Sequence, residues 1–256
     1  MRPRIAIPLP RSDNPEYVDR ALPQYERAIE QAGGEPVRIP LDRKPAEVMK
    51  LIERCDAVLL PGSSADVDPS KYGAERNPKT AAADPKRDMV DELLLQDAYN
   101  MHKPILGICY GLQSLNVYRT GTLVQDIEAE LHSSVPHTAG RAVQRAHTVH
   151  VDPLSDFARL VGRAQADAPE LPVNSSHHQA AGIVGDGLRV AAHSTGDGII
   201  EALEGTAPDH FVLAVQWHPE RTYDEEAESR KIFQALIEAA RAQHERLSGE
   251  FESLQK

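Results

Sequence analysis

Cys109 occupies the middle of Gly107-Ile108-Cys109-Tyr110-Gly111-Leu112-Gln113. An apolar run, Pro104-Ile105-Leu106, precedes it, and a stretch suited to a helix, Ser114-Leu115-Asn116-Val117, follows. A small-X-nucleophile-X-small turn between strand and helix lifts one side chain out of a sharp bend. Glycine on either side avoids Cβ clashes in that turn. The bend also sets Cys109 at a helix N-terminus, where the dipole and free N–H groups favour the thiolate. The chemistry this suggests is attack by sulfur on a carbonyl carbon. Such a nucleophile needs a base and a group that orients the base. Val215-Gln216-Trp217-His218-Pro219-Glu220 offers both. In extended chain, positions two apart face the same way, so His218 and Glu220 point together, with Pro219 stiffening the turn between them.

These residues must be held by a scaffold, and the chain reads as one. Apolar strand-like runs alternate with longer helix-like ones, the pattern of a mostly parallel sheet covered on both faces. Strands are expected at 4–8, 36–40, 57–60 and 105–108, with helices at 17–32, 45–54 and 85–101. Asp84-Pro85 supplies a cap and a first-turn proline for the last of these. A polar loop at 61–83 is long enough to suggest a functional role. Its Asp66 and Asp68 read as residues that cap and stiffen it. The second half has shorter, more β-like elements. A strand is expected at 143–151, and a β-meander at 188–192, 199–203 and 211–215 feeds the His218 segment. An amphipathic helix follows at about 225–245, and the last residues are charged, as fraying termini often are. No repeat, low-complexity tract or linker divides the chain, so a single domain over 1–256 is expected, with a core of about 4–240.

Composition sets further bounds. The 256 residues include 41% apolar residues, enough for a sizeable core, and the formal net charge is −11, which argues against nucleic acid as a partner. No apolar run approaches the roughly 20 residues that span a bilayer. The basic start, Met1-Arg2-Pro3-Arg4, is followed by too short an apolar stretch for a signal peptide. Cys55 and Cys109 are the only cysteines. A disulfide framework is not expected, Cys55 reads as packing, and a reducing cytoplasm is the expected compartment.

The elbow at 107–113 together with Gln216-Trp217-His218-Pro219-Glu220 resembles the class I glutamine amidotransferase superfamily. Four further segments narrow the likeness: Leu59-Leu60-Pro61-Gly62 with Asp66-Val67-Asp68-Pro69 and Tyr72-Gly73; Gly121-Thr122-Leu123-Val124-Gln125-Asp126-Ile127; Val173-Asn174-Ser175-Ser176-His177-His178-Gln179; and Asp197-Gly198 with Glu201-Ala202. Together they are similar to the γ-glutamyl-γ-aminobutyrate hydrolase branch, the peptidase C26-like group, from about residue 4 to about residue 240.

The resemblance implies an α/β, flavodoxin-like fold with a mostly parallel sheet flanked by helices. It implies Cys109 as nucleophile, His218 as general base and then acid, and Glu220 as the orienting carboxylate. Backbone N–H groups of Gly62 and Tyr110 would form the oxyanion hole, in line with a helix-start donor and a glycine loop after a neighbouring strand. Gln113 would cradle the glutamyl group, and Ser176, His177 and His178 would line the substrate pocket. No metal is expected, since adjacent histidines rarely ligate one ion and no zinc-type spacing lies nearby; no organic cofactor is implied. His132, His137, His147 and His150 read as surface or structural residues.

The implied reaction is hydrolysis of a small γ-glutamyl amide. A glutaminase subunit feeding ammonia to a separate synthase is the alternative reading. A non-catalytic binding protein is a third, disfavoured by the intact Cys109, His218 and Glu220. A homodimer is the expected assembly. Three positions depart from the branch: Tyr110 where arginine is frequent, Ser63-Ser64-Ala65 in place of more glycine, and Thr120 for the first of two glycines. All three are expected at the pocket rim, where they would bear on the substrate and not on the reaction.

Overall fold

The computed structural model of the chain describes residues 2–165 and 169–254. Its elements in order are β1 (Arg4–Pro8), α1 (Pro15–Ala32), β2 (Glu35–Ile39), α2 (Pro45–Ile52), β3 (Ala57–Leu60), α3 (Pro85–Met101), β4 (Ile105–Ile108) and α4 (Tyr110–Tyr118). Then come β5 (Leu123–Val124), α5 (Ile127–Leu131), β6 (His147–Val151), α6 (Asp156–Val161), β7 (Glu170–Val173) and β8 (Ala180–Ala181). The meander β9 (Leu188–Ser194), β10 (Ile200–Gly205) and β11 (Val212–Val215) leads to α7 (Ala227–Leu254).

Nine strands form a continuous path, β2-β1-β3-β4-β11-β10-β9-β6-β7, and the short β5 and β8 pair beside it. From β2 to β11 every neighbouring pair is parallel; from β11 onward every pair is antiparallel. The parallel half is buried on both faces because its strands are unbroken apolar runs. Side chains alternate between two cores. Ile5, Ile7, Leu59, Leu106 and Ile108 meet α1, α6 and α7 on one face. Ala6, Val58, Leu60 and Ile105 meet α2, α3 and α4 on the other. Each fully buried leucine or isoleucine contributes about 1.5–3 kcal/mol by leaving water, so both faces hold the parallel strands in register.

The helix starts follow their sequence signals. Asn14 accepts the Tyr17 N–H at 3.0 Å with Pro15 in the first turn, which moves the start of α1 two residues ahead of expectation. Asp84 caps α3 through the N–H groups of Lys86 and Arg87. It also accepts from the Ser12 N–H and hydroxyl, tying the loop after β1 to α3. In the long loop, Asp68 caps a short 3₁₀ turn at Pro69–Tyr72, and Asp66 accepts the Ala81 N–H at 2.6 Å. Helix α7 runs to Leu254, past its expected end, and residues 255–256 of the charged terminus lie outside the described residues. No helix among the described residues is long and apolar enough to cross a membrane.

Candidate active site

Strands β3, β4 and β11 are adjacent and parallel, so their C-terminal ends bring three loops to one corner. Gly62 follows β3, Cys109 follows β4 and His218 follows β11. Open parallel sheets place their sites at such strand ends. A Cβ built on Gly62 would lie 3.0 Å from His218 Cε1 and 3.6 Å from Cys109 Cβ. The glycine is therefore what allows these two side chains to close around it.

Cys109 has φ 53° and ψ −105°, a strained geometry for a residue with a Cβ. Its N–H is fixed to Val215 O at 2.8 Å, across the strand pair that also carries His218. A Cβ on Gly111 would collide with the Leu60 carbonyl oxygen, and one on Gly107 would lie 2.8 Å from Gly111 O. The elbow needs both glycines, as its spacing predicts. The thiol is different from expectation. Cys109 is 6% exposed, and burial pushes its pKa up to about 12, with Glu220 adding to the rise. Arg221 and the Tyr110 N–H work in the opposite direction and do not win. The helix start alone does not make a resting thiolate.

His218 and Glu220 do point together. His218 Nδ1 lies 2.8 Å from Glu220 Oε1, with both side chains buried. Burial holds the His218 pKa below its ordinary value against the pull of Glu220. Burial also opposes ionisation of Glu220, but the His218 ring and Arg221 hold it below the usual carboxylate range. The His218 backbone is clamped twice by Asn174, which accepts its N–H at 2.9 Å and donates to its carbonyl at 2.8 Å.

Tyr25 of α1 was not singled out by the sequence. Its hydroxyl accepts the Gly62 N–H at 3.1 Å and lies 3.4 Å from His218 Nδ1. The donor expected in the oxyanion hole is thus already engaged, and an incoming oxyanion must displace a hydroxyl. Arg87 is a second omission. Fully buried on α3, it pairs with Asp91 at 2.6 Å and donates to the carbonyls of Pro10 and Pro61, fixing the residue before Gly62. Neither tyrosine nor arginine stands in a motif, so only the fold reveals them.

The remaining expected residues divide. Gln113 is buried, and its Nε2 faces Gln179 O and Gln216 Oε1, each at 3.2 Å. Ser176 accepts from Arg221 at 2.8 Å beside Glu220. His178 bridges Asp66 and Asp126 at 3.1 and 3.2 Å, joining the long loop to the start of α5. His177 turns inward toward Glu201, with His137 and His147; of the surface or structural roles expected for these last two, the structure shows enclosed side chains.

The rim expectation also changes. The Tyr110 side chain is buried with Ala65, Val67, Val117 and Leu123, its hydroxyl donating to Asp88 at 2.6 Å beneath the Arg87 guanidinium. Thr120 lies beyond the far end of α4, a nine-residue helix about 13 Å long. Only Ser63, whose Oγ accepts the Ala65 N–H, stays beside Gly62.

Comparison with known proteins agrees with this architecture. In overall fold the chain matches a Thermoplasma acidophilum protein solved as a provisional component of GMP synthase, with a TM-score of 0.64 at 16% identity, covering 97% of this chain and 98% of that one. In sequence it is 40% identical over 218 residues to Rv2859c of Mycobacterium tuberculosis, provisionally named a glutamine amidotransferase. That match covers 84% of this chain and 66% of the relative. It is 34% identical over 223 residues to the γ-glutamyl-γ-aminobutyrate hydrolase PuuD of Escherichia coli K12, covering 84% of each. The Peptidase C26 family model matches residues 9–220, a span that includes Gly62, Cys109, His218 and Glu220. The chain belongs to the Peptidase C26 family of glutamine amidotransferase-like amidohydrolases.

Proposed function

We propose that the chain hydrolyses γ-glutamyl amides, with γ-glutamyl-γ-aminobutyrate or a related γ-glutamyl amine as substrate and Cys109, His218 and Glu220 as the catalytic set. The observation that carries this reading is the buried His218–Glu220 pair, 2.8 Å apart, across Gly62 from a strained Cys109. Both groups rest neutral, thiol and imidazole, because burial raises one pKa and lowers the other. His218 takes the thiol proton as sulfur attacks the amide carbon, and Glu220 stabilises the imidazolium. The oxyanion is held by the Tyr110 N–H at the start of α4, and by the Gly62 N–H once the Tyr25 hydroxyl yields it. His218 then gives its proton to the leaving amine as the C–N bond breaks, leaving a γ-glutamyl thioester on Cys109. Water, deprotonated by His218, cleaves the thioester to glutamate and returns the thiol.

The substrate class has its own support. A polar cleft of about 260 Å³ on the far side of Glu220 is lined by Glu220, Arg221, Arg141 and the Arg27–Asp224 pair, 2.8 Å apart. Burial, with Arg221 and Arg20, pushes the Arg141 guanidinium pKa down. Arg141, which has no carboxylate partner among the described residues, can receive one of the carboxylates that γ-glutamyl-γ-aminobutyrate carries at both ends. The relative PuuD is named for that substrate.

A panel of γ-glutamyl amides, read by amine release with Cys109→Ala as blank, tests this reading. Full turnover of γ-glutamyl-γ-aminobutyrate by the chain alone, with glutamine slower, is the expected result. Absence of turnover above the blank for every amide would sink it. Glutamine hydrolysis that accelerates only when a synthase is added would favour the ammonia-supplying role.

A further inference from the structure

The antiparallel half holds a cluster that the proposed hydrolysis does not use. Glu201 of β10 is fully buried, and its Oε1 lies 2.9 Å from His147 Nε2, 3.3 Å from His137 Nδ1 and 3.6 Å from His177 Nε2. The three rings are enclosed, with side-chain exposures of 6%, 3% and 1%. Donor atoms of His137, His147 and Glu201 all fall within 4.8 Å of one another. Yet Glu201 Oε2, His137 Nδ1, His147 Nδ1 and His177 Nε2 have no hydrogen-bond partner among the described residues.

Placing the protons makes the conflict plain. His177 Nδ1 is 2.9 Å from the Gln179 carbonyl, which can only accept, so this nitrogen carries the hydrogen. His137 Nε2 is 2.8 Å from Asp197 Oδ2 and carries its hydrogen for the same reason. In neutral rings, the opposite nitrogens then aim lone pairs at a carboxylate that has only lone pairs to offer. His147 can donate to Oε1, but that leaves the other two rings unserved. Protonating His137 alone, between Glu201 and Asp197, adds one donor but leaves the His177 lone pair facing Glu201; protonating all the rings would supply every missing donor. It would also confine three cations, with ring centroids 4.8 and 4.9 Å apart, away from water. A divalent cation removes the conflict with every ring neutral, its charge matched by Glu201 and Asp197.

We infer that His137, His147 and Glu201 form a three-ligand site for zinc, with His177 beside it. His137 Nδ1, His147 Nε2 and a Glu201 oxygen are the ligand atoms. A tetrahedral ion with bonds of about 2.0–2.1 Å sets its ligands about 3.3 Å apart, and His147 Nε2 and His137 Nδ1 lie 2.9 and 3.3 Å from Glu201 Oε1. Asp197 on His137 orients that ring as an outer partner of a metal-bound histidine does. The fourth position is open to a water that can donate to the His177 Nε2 lone pair, and the enclosure of the cluster away from Cys109 gives the ion a structural role. It joins the loop before β6, β6 itself and β10, beside the segment after β7. Two of these segments support the catalytic corner. The Glu201 carbonyl accepts the Gln216 N–H at 2.8 Å, and Asn174, three residues before His177, clamps His218.

The test is made on the full chain and on Cys109→Ala, so that metal binding is read separately from hydrolysis. After chelator treatment and dialysis, added Zn²⁺ is expected to bind at one equivalent per chain and raise Tm by about 10 °C. Added Co²⁺ should give the intense visible bands of a tetrahedral site, equally in Cys109→Ala, and His147→Gln and Glu201→Gln should each lose them. Should those variants fail to fold, the native chain still decides: a Co²⁺ spectrum that is octahedral, or a Tm that Zn²⁺ leaves unmoved, overturns the site. Stoichiometric binding that survives in folded His147→Gln and Glu201→Gln overturns it as well.

Discussion

The corner at Cys109 and the cluster at Glu201 are built in opposite ways. The corner draws on three neighbouring parallel strands, and each strand hands over its functional residue within three positions of its end: Gly62, Cys109 and His218. The cluster draws on residues 137, 147, 177 and 201, which meet only when antiparallel strands and two loops fold together. Parallel strands concentrate a site in short contiguous motifs, because all their C-terminal ends lie on one edge. The antiparallel half disperses its site along the chain. The first arrangement stores backbone strain for chemistry; the second stores buried polar groups that need an occupant or a charge to satisfy them.

The sharpest way to break this contrast is to exchange the effects of two substitutions. Cys109→Ala should reduce kcat/KM toward γ-glutamyl amides by about 10⁴-fold or more, with little loss of stability, because alanine keeps the Cβ and its backbone strain and removes a single sulfur atom. His147→Gln should instead cost about 2–4 kcal/mol of stability, since it strips a partner from a fully buried carboxylate. Urea unfolding and steady-state kinetics on both variants decide. If His147→Gln lowers kcat as much as Cys109→Ala while stability holds, the cluster belongs to the chemistry and the division is wrong.

A smaller effect sharpens the state of the nucleophile. The Cys109 thiol is pushed up to about 12 and the His218 imidazole down, both by burial, so the resting pair is neutral. Alkylation of Cys109 by iodoacetamide should therefore climb steadily as pH rises from 6 to 9. A rate already flat at pH 6 would mean that a thiolate–imidazolium pair exists before substrate arrives, and that the helix start outweighs burial. Cys55, whose pKa burial raises to about 11, provides an internal reference for a thiol with no base beside it.

How much of this was legible follows from the same contrast. Strands β1, β3 and β4 were readable to the residue because each is an uninterrupted apolar run between clear breakers. The elbow and the His218 segment were readable because their geometry is local. In the other half, β5, β7 and β8 and helices α5 and α6 are not legible, being short elements with no full period to recognise. Strand β6 is expected from Val143 but begins at His147, because Val143 closes a turn onto the Gly140 carbonyl and only Ala146, whose N–H meets Val173 O at 2.7 Å, leads into the ladder. Glu201 and His177 stood in quoted segments, yet nothing along the chain indicates that they converge. Tyr25 sits on an ordinary helix face, and its place at Gly62 appears only when α1 packs on the sheet.

Tyr25→Phe probes that last contact. It removes the hydroxyl that occupies the Gly62 N–H, leaving a buried donor unpaired, at a cost of about 1–2 kcal/mol in stability. An oxyanion would then meet a free donor, so kcat/KM should stay within about threefold of the parent. A fall of a hundredfold in kcat with KM unchanged would show that Tyr25 orients His218 through the 3.4 Å contact and does not merely occupy the hole.

The smallest effect separates useful strain from idle strain. Cys109 and Thr120 both hold positive φ, at 53° and 70°, one at each end of α4. At Cys109 the strain aims a thiol at the corner. At Thr120 the side chain is exposed and makes no hydrogen bond among the described residues, while its N–H completes the helix end on Val117 O at 2.9 Å. A β-branched residue in the left-handed region costs about 1–2 kcal/mol relative to glycine. Glycine returns part of that through a more flexible unfolded chain. Thr120→Gly should therefore stabilise by about 0.5–1 kcal/mol in urea unfolding, with kinetics unchanged. If the variant is instead less stable, Thr120 has a packing role at the α4 end that outweighs its backbone strain. Positive φ would then not by itself distinguish the nucleophile's turn from an ordinary helix terminus.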